Sequence, residues 1–359
     1  MRIGLLTFHN AYNIGAVLQA SALLEYLNKK DYRCEIVDFY PNNIKKNSRI
    51  KNLLITIKRT FLFFISRNIR INRYEKYKNK YYVRSKKQYY GDDEIFSSPP
   101  SYDILISGSD QIFNMTLTNN TLAYYLGFSD TVRKITYASS FGRVDISMQE
   151  KCALKNEIYK FYSISVREKS AGDIIKQETG FDSTLVLDPV FLLDKSIWES
   201  RCNEKMHLPN KYIFVYSMES SDALQTAVKV LEEECDLPII FVRGGGSRIA
   251  VFGNEDKKCG PSEFLRYVRD AEFVVTNSFH GVAFSMIFRK KFLCIAHSTR
   301  NTRLENILEL ASESDKIIRE SVDNIRSKII EGEKCIFYLD EYIKASKKYL
   351  LDNVFDMQN

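Results

Sequence analysis

The sequence predicts an α/β chain of two parallel-sheet domains facing a cleft. Three observations carry this. Short apolar runs alternate with amphipathic stretches at helical spacing, the pattern of strands joined by crossover helices. The alternation occurs twice, with a polar, irregular stretch near 191–210 between the two series. Polar residues gather just beyond the ends of the apolar runs, where open parallel sheets bind ligands. The expected division is 1–190, carrying a basic insertion at about 44–90, and 191–359, ending in a helix.

In the first series, Arg2–Phe8 reads as a buried strand ending in a polar turn. Gly15–Asn28 places Val17, Leu18, Ala20, Leu23, Leu24 and Leu27 at helical spacing. Further strands are expected at Cys34–Phe39, Tyr102–Ile106, Lys134–Ala138, Phe161–Val166 and Ser183–Leu187. Helices are expected at Glu168–Thr179 and at Ser147–Tyr159, with Ser147 as cap and Glu150 in the capping-box position. In the second series, strands at Tyr212–Ser217, Pro238–Val242, Glu272–Thr276 and Lys291–Ile295 alternate with helices at Asp222–Cys235, Pro261–Arg269 and Val282–Phe288. Helices at Asn301–Leu310, Ser321–Ile330 and Lys334–Leu351 finish the chain, the last expected to cross to the first domain.

The 359 residues, 45% hydrophobic and 27% charged, suit a globular chain large enough to need no staples. Seven scattered cysteines show no C-x-x-C spacing, which argues for buried free thiols in a reducing compartment. The apolar part of MRIGLLTFHN is too short for a signal peptide, and no run of ~18 apolar residues occurs, so a cytoplasmic location is expected. H-E-x-x-H, G-x-S-x-G, G-x-G-x-x-G and Walker patterns are lacking. No metal and no bound cofactor are expected.

Charge is uneven. Between Lys45 and Lys87 fifteen Lys/Arg face one acid, Glu75, a net +14 in a chain of net +7; the remainder carries −7. This segment reads as a solvated helical pair with a buried apolar stripe, as a peripheral surface for anionic lipid with Leu53–Ile65 inserting shallowly, or as a nucleic-acid face with interleaved basic and aromatic residues. No recognised nucleic-acid motif accompanies it, and no nucleic-acid partner is expected.

The candidate site residues lie at strand ends. Asn13 and Gly15 follow the first strand and either shape the turn or bind ligand. Ser107, Gly108, Ser109 and Asp110 follow the strand ending at Ile106. Arg167 closes an otherwise apolar strand, where a guanidinium wants an anion, with Glu168 next to it. Asp188 precedes Pro189 and reads first as a turn former. In the second half come Arg243, with a triple glycine behind it, then Asn277, Ser278 and His280. His280 sits before Gly281 at a strand-to-helix turn, where helix amides face an anion. His280 and Arg167 are the catalytic candidates, expected to face one cleft from opposite domains, with domain closure bringing donor anions and acid together and excluding water.

FHNAYNIGAVLQASAL, ISGSDQIFN, YASSFG, SVREKSA, VLDPVFLL and VTNSFHGVAFSMIF, in this order over roughly residues 3–300, resemble the polysaccharide pyruvyl transferase family. The resemblance implies two Rossmann-like domains in a GT-B-like arrangement. It implies transfer of the pyruvyl group of phosphoenolpyruvate to two hydroxyls of one sugar, giving a cyclic ketal and phosphate in cell-surface polysaccharide assembly. The acceptor would be lipid-linked, at the inner membrane face. His280 corresponds to the family's histidine, as acid or phosphate ligand, and Arg167 to its donor-binding arginine. Many members carry an arginine two residues before that histidine; this chain has Ser278. Arg243, Arg248 or a nearby lysine are the candidates to supply that charge. A GT-B-like glycosyltransferase using a nucleotide sugar, or a silent glycan-binding module, stand as alternatives.

Overall fold

A computed structural model describes residues 1–29, 32–41, 59–130, 132–245, 250–298, 301–320 and 324–355, with backbone alone for 59–65. Lys45–Lys58, including Leu53–Lys58 of the Leu53–Ile65 run, and Arg248 lie outside the described residues.

The first unit holds a seven-stranded, wholly parallel sheet in the order β3-β2-β1-β4-β5-β6-β7. Its strands are β1 (Arg2–Leu6), β2 (Arg33–Tyr40), β3 (Arg84–Tyr90), β4 (Ile104–Asp110), β5 (Arg133–Ser139), β6 (Ser165–Val166) and β7 (Thr184–Leu185). Helices α1 (Ile14–Asn28), α2 (Arg59–Tyr81), α3 (Asp92–Ser97), α4 (Met148–Glu157) and α5 (Lys169–Thr179) connect them. After α6 (Lys195–Glu199), the second sheet runs β10-β9-β8-β11-β12-β13. Its strands are β8 (Ile213–Ser217), β9 (Ile239–Arg243), β10 (Asn254–Glu255), β11 (Phe273–Thr276), β12 (Lys291–Cys294) and β13 (Ile330–Glu331). Helices α7 (Asp222–Cys235), α8 (Pro261–Asp270), α9 (Phe279–Ile287), α10 (Thr302–Leu310) and α11 (Gly332–Leu350) complete it. Strand order reverses between β1 and β4 and again between β8 and β11. These are the two crevices at which such sheets bind ligands.

Local chemistry sets the helix starts. The Asn13 side chain accepts from the Ala16 amide at 3.0 Å and opens α1. Ser147 and Glu150 form the reciprocal box at α4. The Ser221 hydroxyl accepts from the Leu224 amide at 3.1 Å and opens α7. Helix α1 is buried on nearly every side, which suits its almost unbroken apolar run.

Several expectations are corrected. RSKKQYY forms the edge strand β3, outside any apolar pattern, because only one of its faces is covered. The stretch expected as helix Ser321–Ile330 instead gives a 3₁₀ turn at Ile325–Lys328 and then β13, which pairs antiparallel with β12. Helix α9 begins at Phe279 rather than Val282, so His280 stands in its first turn. The cysteines are free; Cys34, Cys259, Cys294 and Cys335 are buried, but Cys152 is exposed and Cys202 and Cys235 are half-buried.

The two sheets do not meet across an open hinge. One apolar cluster runs through both, from Leu5 and Val17 by way of Trp198 to Phe214, Phe284 and Leu350. Trp198, in the stretch read as polar and irregular, is fully buried, edge-on to Phe284 with ring centroids 4.9 Å apart. Arg201 beside it donates at 2.9 Å to both Ser21 and Tyr77 and pairs with Glu25. Helix α11 returns to the first sheet: Tyr349 donates to the Thr136 carbonyl at 3.0 Å, and Ser346 accepts from the Leu187 amide at 2.8 Å. Helix α2 reaches the other way, with Arg73 Nε 3.3 Å from Glu263 of α8. Its Tyr74, Tyr77 and Lys78 are buried, so this part of the basic segment is a packed helix with one solvated face.

Candidate active site

The two crevices converge on one cavity of about 100 Å³. The first domain supplies Asn13, Asp110 and Gln111 to its wall; the second supplies Tyr216, Asn277, Ser278, His280, His297 and Arg303.

Behind it lies a buried charge cluster. Arg167 Nη1 donates to Asp188 Oδ2 at 2.7 Å, and Nη2 donates to Asp110 Oδ1 at 3.3 Å. The guanidinium fork is thus used on two carboxylates of its own domain. Asp188 meets the second domain through its other neighbour: His280 Nε2 stands 3.6 Å from Oδ2. Asp188 Oδ1 accepts from the Val190 amide at 3.1 Å, so the residue is turn former and site member at once. Burial alone would raise the Asp188 carboxyl, but His280 and Arg167 outweigh it and hold it down at about 2. Asp110 is likewise lowered: burial opposes, and Arg167, Arg303 and His280 prevail. Arg167 is pushed higher by Asp110, Asp188 and Glu168 in spite of burial. Asp110 holds this place at φ +82°, a conformation that costs a non-glycine residue about 1–3 kcal/mol.

Gly15 has one reason to be glycine. A Cβ there would lie 2.0 Å from His280 Nδ1, so the imidazole packs directly against the α1 backbone. His280 in turn sits in the first turn of α9, whose N-terminus carries no side-chain cap and borders the cavity. That leaves amides and the positive end of the helix dipole for an anion.

The other candidates have different surroundings. Ser107, Gly108 and Ser109 lie inside β4, because the strand runs on past Ile106. Ser107 donates to the Tyr124 carbonyl, Ser109 to the Ala138 carbonyl at 3.1 Å, and a Cβ on Gly108 would meet the Tyr137 carbonyl at 2.1 Å. They shape the sheet and do not line the cavity. Glu168 accepts from Ser140 at 2.5 Å and from the Gly142 amide at 3.3 Å, bracing the β5 loop. Asn277 spends its amide on the β8 turn, accepting from the Met218 amide at 2.7 Å and donating to the Glu219 carbonyl at 3.0 Å. Arg243 pairs with Glu255 at 3.2 Å and lines a different cavity.

Sequence reasoning missed Arg303 and His297. Both follow β12, in HSTRNTR, and the strand-end rule applied elsewhere would have found them. Arg303 Nη1 lies 3.9 Å from Asp110 Oδ1. His297 Nε2 lies 3.4 Å from Glu219 Oε2. Among the described residues no three metal-ligating side chains converge.

The family profile described as polysaccharide pyruvyl transferase matches residues 13–299. The chain belongs to the polysaccharide pyruvyl transferase family. That match spans α1, the Arg167–Asp188 pair and His280, and ends just short of Arg303. No curated protein sequence matches this family member. Among solved structures, the UDP-GlcNAc 2-epimerase of Methanocaldococcus jannaschii, in complex with UDP-GlcNAc and UDP, is similar at a TM-score of 0.50 and 13% identity, over 98% of this chain and 99% of that one. The E. coli ADP-heptose lps heptosyltransferase II gives a TM-score of 0.38 and 10% identity, over 97% and 100%. At 13% identity the likeness to the epimerase shows the fold alone, two facing Rossmann-like domains in a GT-B-like arrangement.

Proposed function

We propose that this family member transfers the pyruvyl group of phosphoenolpyruvate to two hydroxyls of one sugar, forming a cyclic ketal and releasing phosphate. The observation that carries the reading, beside family membership, is the cavity itself. It measures about 100 Å³. Pockets for drug-sized ligands run to roughly 300–1,000 Å³. With His280, Arg303 and the open N-terminus of α9 on its wall, it suits a compact carboxylate–phosphate.

The roles follow from position. Arg303 and the open amides of α9 hold the donor's carboxylate and phosphate, Arg303 supplying the charge that Ser278 lacks. His280 gives a proton to the methylene carbon, and Asp188 behind it stabilises the imidazolium before transfer. The neighbouring carbon takes a sugar hydroxyl, phosphate departs, and a second hydroxyl of the same sugar closes the ring. Arg167 is a positioning residue that fixes Asp188 and Asp110. A second cavity of about 410 Å³ shares Asn13, Asp110 and Gln111 with the first and is walled by Phe8, Tyr40 and Tyr124. Aromatic walls with polar groups at one end suit the two faces of an acceptor sugar.

Calorimetric titration tests the reading. Saturable binding of phosphoenolpyruvate, weakened in Arg303→Ala, supports it. Binding of UDP-GlcNAc without phosphoenolpyruvate would convert the chain to a nucleotide-sugar enzyme, and binding of glycan alone to a glycan-binding module. The same reading puts the acceptor on a lipid carrier and docks the chain on an anionic inner leaflet through 45–87. Among the described residues no helix is long and apolar enough to cross a membrane. The solvated side of the described segment carries Arg67, Lys76, Lys80, Lys86 and Lys87.

A further inference from the structure

A cavity of about 440 Å³ lies between α2 and the end of β9, backing onto the transfer cavity. Both units line it. Arg67 and Arg70 stand one turn apart on α2, Arg243 ends β9, and Lys257 follows β10. Two acids, Glu255 and Asp256, share the wall. Their charge is already engaged. Glu255 lies 3.2 Å from Arg243 Nε and 3.5 Å from Lys257 Nζ. Asp256 lies 3.7 Å from Arg73, accepts from Tyr267 at 3.0 Å and from the Lys258 amide at 2.8 Å. Arg67 and Arg70 have no carboxylate partner among the described residues; the Arg70 guanidinium lies over the Tyr74 ring, 5.7 Å from its centroid, and its Nε is buried without a hydrogen bond. Arg67, Arg70, Arg243 and Lys257 thus bring four cations to a wall with two acids, and guanidinium forks are the groups best suited to phosphate oxygens.

The backbone is fitted to this cavity. A Cβ on Gly245 would lie 2.1 Å from the Met218 carbonyl, and one on Gly244 would meet Met218 Sδ at 2.5 Å and Tyr216 at 2.8 Å. Tyr216 and Met218 also line the transfer cavity. The two glycines therefore let the two cavities stand back to back across one thin wall.

We propose that this cavity is a second anion site that takes a phosphate or diphosphate group. It stands apart from the donor position and does not depend on which donor the chain uses. Its volume exceeds that of a lone diphosphate and leaves room for whatever the group is attached to. A lipid-carrier headgroup and a free nucleoside diphosphate share this chemistry.

The test is titration of the full chain with inorganic pyrophosphate at low and high salt, for the unaltered protein and for Arg67→Ala/Lys257→Ala. Both side chains are exposed, so folding is retained, and an unchanged thermal melt checks this. Expected is saturable binding that weakens about tenfold or more in the double variant. Arg243→Gln is the second variant, with the same expectation. Displacement of pyrophosphate by UDP assigns a free nucleotide; displacement by phosphatidylglycerol vesicles but not by phosphatidylcholine ones assigns a headgroup. Either supports the site. No saturable binding, or binding that all variants leave unchanged, overturns it. Failure of the pyruvyl-transfer reading is seen separately, as no binding of phosphoenolpyruvate by the unaltered chain.

Discussion

His280 Nε2 lies 3.6 Å from Asp188 Oδ2, an oxygen that also accepts from Arg167 at 2.7 Å. One carboxylate oxygen thus joins the candidate acid of the second domain to the buried arginine of the first. The two face each other with Trp198, α2 and α11 already holding the units together.

Acid stability should report on this oxygen. Asp188 is held at about 2 when folded, against about 3.9 for a free aspartate. A depressed folded value stabilises the fold above the unfolded pKa and gives that up as pH falls through the folded one. The contribution is about 2 kcal/mol at neutral pH, lost between about pH 5 and pH 2. Circular dichroism against pH should show Asp188→Asn less stable at pH 7, with a shallower slope in that window. An unchanged slope would dissociate Asp188 from the acid transition.

Gly15→Ala should separate folding from catalysis. Gly15 is the second residue of α1, and overpacking there costs about 1–3 kcal/mol, so the melting temperature should fall but the fold should survive. The new Cβ would drive His280 aside, and a misplacement of about 1 Å can cost about 10²-fold in turnover. Full activity in Gly15→Ala would show that the ring position is not critical.

Arg303→Ala should raise the dissociation constant for phosphoenolpyruvate about 10–100-fold, measured by calorimetry, with only a small fall in the melt because Arg167 still pairs with Asp110. Ser278→Arg in that background should recover part of the loss, because both positions line one cavity. Equal affinity in all three proteins would remove Arg303 from the donor site.

Arg201→Ala should destabilise the chain by about 3 kcal/mol or more, read as a lowered urea midpoint. It strips Glu25 and the Tyr77 hydroxyl of a buried cation and leaves space beside Trp198.

The sequence made some of this plain and hid the rest for identifiable reasons. Helix α7 is bounded as expected, since its apolar period and the Ser221 cap agree. His280 stood out because Gly281 and a strand end flank it. Ser107–Ser109 misled because small residues look like a loop, yet smallness is what lets β4 and β5 approach within reach of the Tyr137 carbonyl. Asp188 was read as a turn, and its Oδ1 does that; the second oxygen's partners are 21 and 92 residues away and leave no local trace. Arg167 wanted an anion, as its apolar setting implied, but the anions are Asp188 and Asp110 rather than a donor.

The most direct test is incubation with phosphoenolpyruvate and lipid-linked oligosaccharides, following phosphate release and the mass of the glycan. One phosphate should appear for each pyruvyl group gained, and His280→Ala should slow both by ~10²–10⁴-fold. Ketal formation by His280→Ala at the unaltered rate, or consumption of a nucleotide sugar with no phosphate released from phosphoenolpyruvate, would contradict the account.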